Sequence, residues 1–358
     1  MLGRLVSRAV PLAPDAMYPA RDAVARARTV TLPDGERVRV VEAGDASAPP
    51  VVLLHGWGCS VFFWRHITPA LAADGWRVVA IDLRGHGLSD RPLDPVAYAR
   101  PAMAAHVRDT LDALGIVSAP IVAHSMGGAV AVALARQLPA RVPALALFGA
   151  VGFGVVNRAE WAAVLPPALT GALVPRRIPR WTIAAAMKHT RGDAAVPDAA
   201  DIDEYWAPTQ FPDFVRAMHL LLHHFDWAPW TAAELAPLVQ PVLLAVGTHD
   251  AVVRPQQVVP VLARALRRAE LHVADGAGHV LPEERPAWTL ARLLPFLAAQ
   301  RAPVGGDGAA PAPSRAASAT SVPPMSAPPT SASATSAPAA PPPDATTPPT
   351  PSASDAAA

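Results

Sequence analysis

Four short, mostly apolar runs constrain this chain more than any other feature: Val51–Leu54, Arg77–Ile81, Pro120–Ala123 and Ala144–Phe148. Each has the length of a strand, is bounded by Gly, Pro or Asp, and is followed by a helix-length stretch. A strand with one solvated face alternates apolar and polar residues, whereas a strand covered on both faces is apolar throughout. Continuous apolar runs joined by helical crossovers therefore predict parallel strands with helices packed on both sides. The rhythm resumes at Val242–Val246 and Glu270–Val273, and a last helix is expected from about Glu283 to Ala299. Ahead of the first run, Arg28–Leu32 and Val38–Glu42 flank the turn Pro33-Asp34-Gly35 and predict a hairpin. The expected fold class is α/β, a mostly parallel central sheet flanked by helices, built from residues 28–151 and 233–300.

Between Gly152 and about Ala232 this rhythm breaks. The stretch 152–232 holds five of the nine tryptophans, Trp161, Trp181, Trp206, Trp227 and Trp230. An insertion between two strands emerges at one edge of the sheet, and a helical piece over the carboxyl ends of parallel strands would cover the crevice where such folds bind ligands.

Composition removes several other classes. From Arg301 the chain is almost entirely Ala, Pro, Ser and Thr, which cannot bury enough apolar surface to offset the entropy of ordering it. Residues 301–358 are expected to be a disordered tail outside the fold, and residues 1–27 an N-terminal extension. The formal net charge of +1 spread over 358 residues offers no basic footprint for nucleic acid. Cys59 is the only cysteine, so neither an internal disulfide nor a cysteine zinc site can form. The longest apolar run, Val142 to Val156, is too short and too interrupted by Pro143, Gly149, Gly152 and Gly154 to span a bilayer. With scattered arginines and no continuous apolar core, the N-terminus makes a poor signal peptide, and a cytoplasmic location is expected.

Four motifs carry candidate chemistry, each directly after an expected strand. In Ala123-His124-Ser125-Met126-Gly127-Gly128 the serine falls at a tight strand-to-helix turn, which pushes its hydroxyl out of the sheet. Small residues two positions to either side are needed where strand and helix nearly touch; Ala123 and Gly127 fill them. In His55-Gly56-Trp57-Gly58, glycines let the backbone turn so that the Trp57 amide can point toward the serine, with the Met126 amide as a second oxyanion donor. His55 is expected to anchor this loop by hydrogen bonds. Gly247-Thr248-His249-Asp250 and Gly276-Ala277-Gly278-His279 place a carboxylate and an imidazole at the same sheet edge. A neutral imidazole takes a hydroxyl proton effectively when a carboxylate holds its tautomer and steadies the cation, roles that fit His279 and Asp250.

Residues 28–299 resemble the α/β-hydrolase superfamily, in its branch with a helical cap. The likeness rests on Val52-Leu53-Leu54-His55-Gly56-Trp57-Gly58, on Asp82-Leu83-Arg84-Gly85-His86-Gly87-Leu88-Ser89, on the serine turn, and on Gly278-His279 followed by Glu284 and Pro286. It implies a catalytic triad of Ser125, Asp250 and His279 with the amides of Trp57 and Met126 as oxyanion hole. The segment from Asp82 to Ser89 reads as structural. Haloalkane dehalogenases and epoxide hydrolases are similar elsewhere but carry aspartate at the turn, so Ser125 directs the expectation to acyl transfer. Carboxylic esters or lactones are the expected substrates. Carbon–carbon hydrolysis of vinylogous diketones, perhydrolysis or acyl transfer, and ligand reception without turnover stay open on the sequence.

Trp57, Trp206, Phe211, Phe214, Phe225 and Trp227 are the aromatic candidates for an apolar substrate pocket. His219, His223 and His224 are spaced to share a helix face, but no carboxylate accompanies them at metal-site spacing, so neither metal nor cofactor is expected. A small-molecule substrate is the expected partner.

Overall fold

A computed structural model describes residues 10–154, 156, 177–193, 196–254, 261–266 and 268–301. Trp161 and the expected tail beyond Arg301 lie outside these residues.

The described residues form an eight-stranded sheet: β1 (Arg26–Thr31), β2 (Arg37–Ala43), β3 (Pro50–Leu54), β4 (Arg77–Ile81), β5 (Ile121–His124), β6 (Leu145–Phe148), β7 (Val242–Gly247) and β8 (Ala269–Ala274), in the order β1-β2-β4-β3-β5-β6-β7-β8. The first two make the expected hairpin, with Val30 opposite Val38, and β2 runs antiparallel to β4. All pairings from β4 through β3 to β8 are parallel.

Alternation along the strands divides the core in two. Val52, Leu54, Ile121, Ala123, Leu145, Leu147, Val242 and Leu244 join one apolar cluster, while their neighbours Val51, Leu53, Val122, Ala146, Phe148, Leu243 and Ala245 join another. Successive side chains point to opposite faces of a strand, so both faces are buried, and this is why the runs are apolar apart from Arg77 at the start of β4. Helices α2 (Arg100–Ala113) and α3 (Met126–Gln137) pack in the first cluster; α1 (Thr68–Ala73) packs in the second.

The chain passes from β3 outward to β4 and then returns past β3 to β5. The loops leaving β3 and β5 therefore diverge at the carboxyl edge, the switch point at which open sheets of this kind form a crevice. Between β6 and β7 the described residues of the insertion include α4 (Arg180–Thr190), α5 (Ala199–Trp206) and α6 (Phe214–His224), with the short α7 (Ala232–Leu235) leading back to the sheet.

One expectation needs correction. The C-terminal helix is two pieces, α8 (Leu281–Glu284) and α9 (Pro286–Ala298), with Arg285 between them at φ −134° and ψ 57°. Pro286 is the cause, because a proline ring disfavours helical geometry in the residue before it.

Candidate active site

Ser125 stands between the end of β5 and the first turn of α3 with φ 51° and ψ −121°. Positive φ is costly for a residue with a side chain and persists only where its surroundings enforce it. The enforcement is visible on three sides. A methyl on Gly56 would meet Cβ of Ser125 at 2.9 Å, one on Gly127 the carbonyl oxygen of His55 at 2.5 Å, and one on Gly128 Cβ of Ala150 at 2.6 Å. The main chain of Ser125 is also fastened, its amide donating to Phe148 and its carbonyl accepting from Val151. Ala123, where a glycine would be roomier, is fully buried in β5 without displacing this turn.

The side chains of Ser125, His279 and Asp250 form one hydrogen-bonded chain. Oγ of Ser125 lies 2.9 Å from Nε2 of His279, and Nδ1 of His279 lies 2.9 Å from Oδ2 of Asp250. A carboxylate only accepts, so Nδ1 carries the proton and Nε2 is left with its lone pair toward the serine hydroxyl. Asp250 Oδ1 accepts from the amides of Val252 and Val253 at 2.8 and 2.7 Å, which fixes the carboxylate plane. All three residues are buried.

Met126 is the first residue of α3, and an amide in that position has no acceptor within its own helix. The β3 loop lies against the serine through Gly56, as the close approach above shows, and brings Trp57 to the same side. The indole Nε1 of Trp57 donates to the carbonyl of Met218 at 3.3 Å, tying that loop to α6. His55 accepts from the Leu83 amide at Nε2 and donates through Nδ1 to the carbonyl of Gly56, so it braces the β3 loop against the end of β4. Burial holds its pKa below the ordinary histidine value.

His124 takes a place that the sequence did not assign. Its Nε2 lies 3.0 Å from the carbonyl of His279, and its ring stacks on Phe63 at 4.2 Å. Burial pushes its pKa far down, with the nearby His279 adding to the effect. It is therefore a neutral donor supporting the main chain of the histidine loop. Asp82 is the hub of the segment read as structural. It accepts from the amides of Val61 and Leu88 and pairs with the buried Arg39, and any side chain on Gly87 would collide with it.

A cavity of about 420 Å³ borders Ser125 and His279. Most of its wall is apolar, from Val151, Ile183, Met187, Phe214, Val215, Met218, Leu222 and Val252. Of the aromatic candidates, Trp57, Phe214 and Trp227 line it. Trp206, Phe211 and Phe225 do not, which corrects the expectation for those three. The Trp206 ring is buried and donates to the carbonyl of Ile178. Phe225 packs on Trp227, with ring centroids 4.8 Å apart, and Phe211 faces the guanidinium of Arg91. Helical spacing marks an apolar residue as buried without saying whether it faces the helix's own packing or an empty space.

The cavity also has a polar end. Glu283 accepts from Arg65, from Arg191 at 3.1 Å and from the Tyr205 hydroxyl at 2.7 Å, and its side chain is 1% exposed. Cys59 borders the same end, and burial, aided by the Glu283 charge, pushes its thiol up to about 12. These residues come from four distant segments and share no motif, so nothing in the sequence linked them. His219 borders the cavity too, its ring edge-to-face with His223 at 4.3 Å. Among the described residues, no helix is long and apolar enough to cross a membrane.

The family profile of the α/β-hydrolase fold matches residues 49–286. The chain belongs to that family and is a hydrolase of that fold. It is 31% identical over 313 residues to epoxide hydrolase A of Mycobacterium tuberculosis, covering 74% of this chain and 95% of that protein. It is 33% identical over 282 residues to the magnesium-chelatase 30 kDa subunit of Rhodobacter capsulatus, covering 76% and 94%. Among solved structures, the carboxylesterase CesB of Bacillus subtilis superposes with a TM-score of 0.65 at 22% identity, covering 77% of this chain and 92% of that one.

Proposed function

We propose that the protein is a serine hydrolase of carboxylic esters or lactones that works through an acyl-enzyme on Ser125. His279 is the general base, Asp250 orients it, and the amides of Trp57 and Met126 hold the oxyanion. The described part of the insertion, residues 177–193 and 196–232, is the cap that borders the site. The observation that carries this reading is the unbroken Ser125–His279–Asp250 hydrogen-bond chain beside a mostly apolar cavity.

The steps follow from the groups in place. As Oγ attacks the carbonyl carbon, its proton passes to Nε2, and Asp250 steadies the resulting imidazolium. Negative charge gathers on the former carbonyl oxygen, where each main-chain donor contributes about 3–4 kcal/mol to the transition state. The imidazolium then protonates the leaving alkoxide, and water, deprotonated by the same nitrogen, releases the acid. At about 420 Å³ the cavity falls in the range of roughly 300–1,000 Å³ typical of small-molecule sites, which suits an acyl or lactone group of modest length.

Chemistry also separates this reading from the name of the mycobacterial relative. Opening an epoxide on a carboxylate leaves an ester that water can cleave, whereas opening it on Ser125 would leave a stable ether. Turnover by that route needs a carboxylate where this chain has a hydroxyl.

The test is labelling with a fluorophosphonate probe together with a panel of p-nitrophenyl esters, lactones and vinylogous diketones. Wild type should be labelled at Ser125 and turn over esters or lactones continuously, while Ser125→Ala should do neither and keep its melting temperature. Undiminished turnover in Ser125→Ala overturns the assignment. A single stoichiometric burst points to a receptor, and preference for the diketones to carbon–carbon hydrolysis.

A further inference from the structure

The loop carrying His279 is gripped by the insertion, backbone against backbone. The His279 amide donates to the carbonyl of Thr190 at 2.8 Å, and the Asp193 amide to the carbonyl of Gly276 at 2.9 Å. Gly192 and Gly278 lie at the crossing. A methyl on Gly192 would sit 2.2 Å from the Gly276 carbonyl oxygen, and one on Gly278 would sit 2.4 Å from the Gly192 nitrogen. No side chain on either residue fits, so their own side chains cannot lock the contact.

The lock comes from α8. Oε2 of Glu284 accepts from the Gly192 amide at 2.9 Å and from the Gly278 amide at 3.0 Å. Its other oxygen, Oε1, is buried and has no hydrogen-bond partner among the described residues. Among the described residues this carboxylate has no arginine or histidine partner, unlike the adjacent Glu283 with its two arginines. Ionised acceptors make shorter and stronger hydrogen bonds to main-chain amides than neutral ones, and two amides at a loop crossing would otherwise go unpaired.

We propose that Glu284 is a positioning residue for His279, holding the histidine loop and the end of α4 as one unit through the amides of Gly278 and Gly192. The proposal rests on His279 being the general base. Residues 190–193 are then a fixed seam of the insertion, on which the distance from Nε2 to the serine depends.

The experiment compares the full-length wild type with Glu284→Ala and Glu284→Gln. Active sites are titrated with the fluorophosphonate, kcat and KM are measured on one p-nitrophenyl ester, and hydrogen exchange is followed in peptides spanning 188–193 and 274–280. Glu284→Ala should lower kcat per titrated site by about 10- to 100-fold, the scale of an ångström-level misplacement, with KM within about threefold. Exchange should accelerate in both peptides. Glu284→Gln keeps a carbonyl acceptor and should stay within about fivefold of wild type. Wild-type kcat per titrated site in Glu284→Ala, or equal damage in the two variants, overturns the proposal. Should Glu284→Ala fail to fold, Glu284→Asp draws the carboxylate back by one methylene; a kcat loss at steady KM is expected there, and wild-type kcat overturns the proposal. A wild type that is neither labelled nor active instead sinks the serine-hydrolase reading, and hydrogen exchange then still decides the clamp.

Discussion

A methyl group on Gly127 would lie 2.5 Å from the carbonyl oxygen of His55 and 2.8 Å from that of Leu54. Helix α3 thus starts in direct contact with the backbone of β3, and this contact keeps the β3 loop close to the serine. Gly127→Ala should cost about 1–3 kcal/mol, as overpacking against an unyielding backbone does. It should also lower kcat, because relief requires the serine turn to move away from the β3 loop. Urea denaturation alongside esterase kinetics checks both; wild-type stability and turnover would mean that the strand and helix can separate without consequence.

Asp250 gives a sharper kinetic prediction. Its carboxylate accepts from Nδ1 of His279 with one oxygen and from two amides with the other. In Asp250→Asn the side-chain amide can present its NH₂ to Nδ1, which favours the tautomer with the proton on Nε2, unable to accept from serine. The expected result is a kcat loss of up to about 10⁴-fold with a folded protein, by analogy with the same change in a serine-protease triad. A loss under tenfold at saturating substrate would remove Asp250 from the orienting role.

The strands were legible in the sequence because a strand buried on both faces is apolar along its length, and β3 to β7 follow that rule except at the Arg77 end of β4 and the His124 end of β5. Ser125, Asp250 and His279 were legible for a different reason. Each lies in the loop that leaves the carboxyl end of a strand, so a parallel sheet brings them to one edge however far apart they lie in the chain. The cavity wall was not legible. Trp206 and Trp227 are both buried aromatic residues of the insertion, yet only Trp227 faces the cavity, and which way each faces depends on how the helices pack together. The Glu283 cluster was hidden because Arg65, Arg191 and Tyr205 meet it only in three dimensions. Pro286 could have revealed the broken C-terminal helix, since its effect on the preceding residue is local.

Cys59 borders the cavity, but its thiol is pushed up to about 12 by burial and by the Glu283 charge. The thiolate is the reactive form, and at pH 8 about one molecule in 10⁴ would carry it, against roughly a quarter for an unperturbed thiol. Native protein should therefore react with Ellman's reagent at pH 8 about 10³-fold more slowly than protein in 6 M guanidinium. Cys59→Ser should keep kcat/KM within a few-fold. Rapid labelling of the native chain, with matching loss of activity, would instead mark Cys59 as an activated thiol.

Glu204 should make stability fall with rising pH. On α5, its Oε1 accepts from the Tyr18 amide at 2.9 Å, while Oε2 is buried with no hydrogen-bond partner among the described residues. Burial raises its pKa from 4.5 to about 7, against the partly opposing effects of that hydrogen bond and of Arg39 and Arg65. Below the unfolded value near 4.5 both states hold the proton and the residue is neutral to stability. Between 4.5 and 7 the unfolded chain gives up its proton while the folded chain keeps it, so the folded state loses ground as pH rises, and above 7 the full penalty applies. Glu204→Gln keeps an acceptor for Tyr18 without the charge. It should match wild type at pH 4 and exceed it at pH 8.5 by on the order of 1 kcal/mol, the value after discounting for solvent screening. Urea unfolding of the two proteins at both pH values measures the difference directly; a gain that is the same at pH 4 and pH 8.5 would show that the glutamate's charge is not its cause.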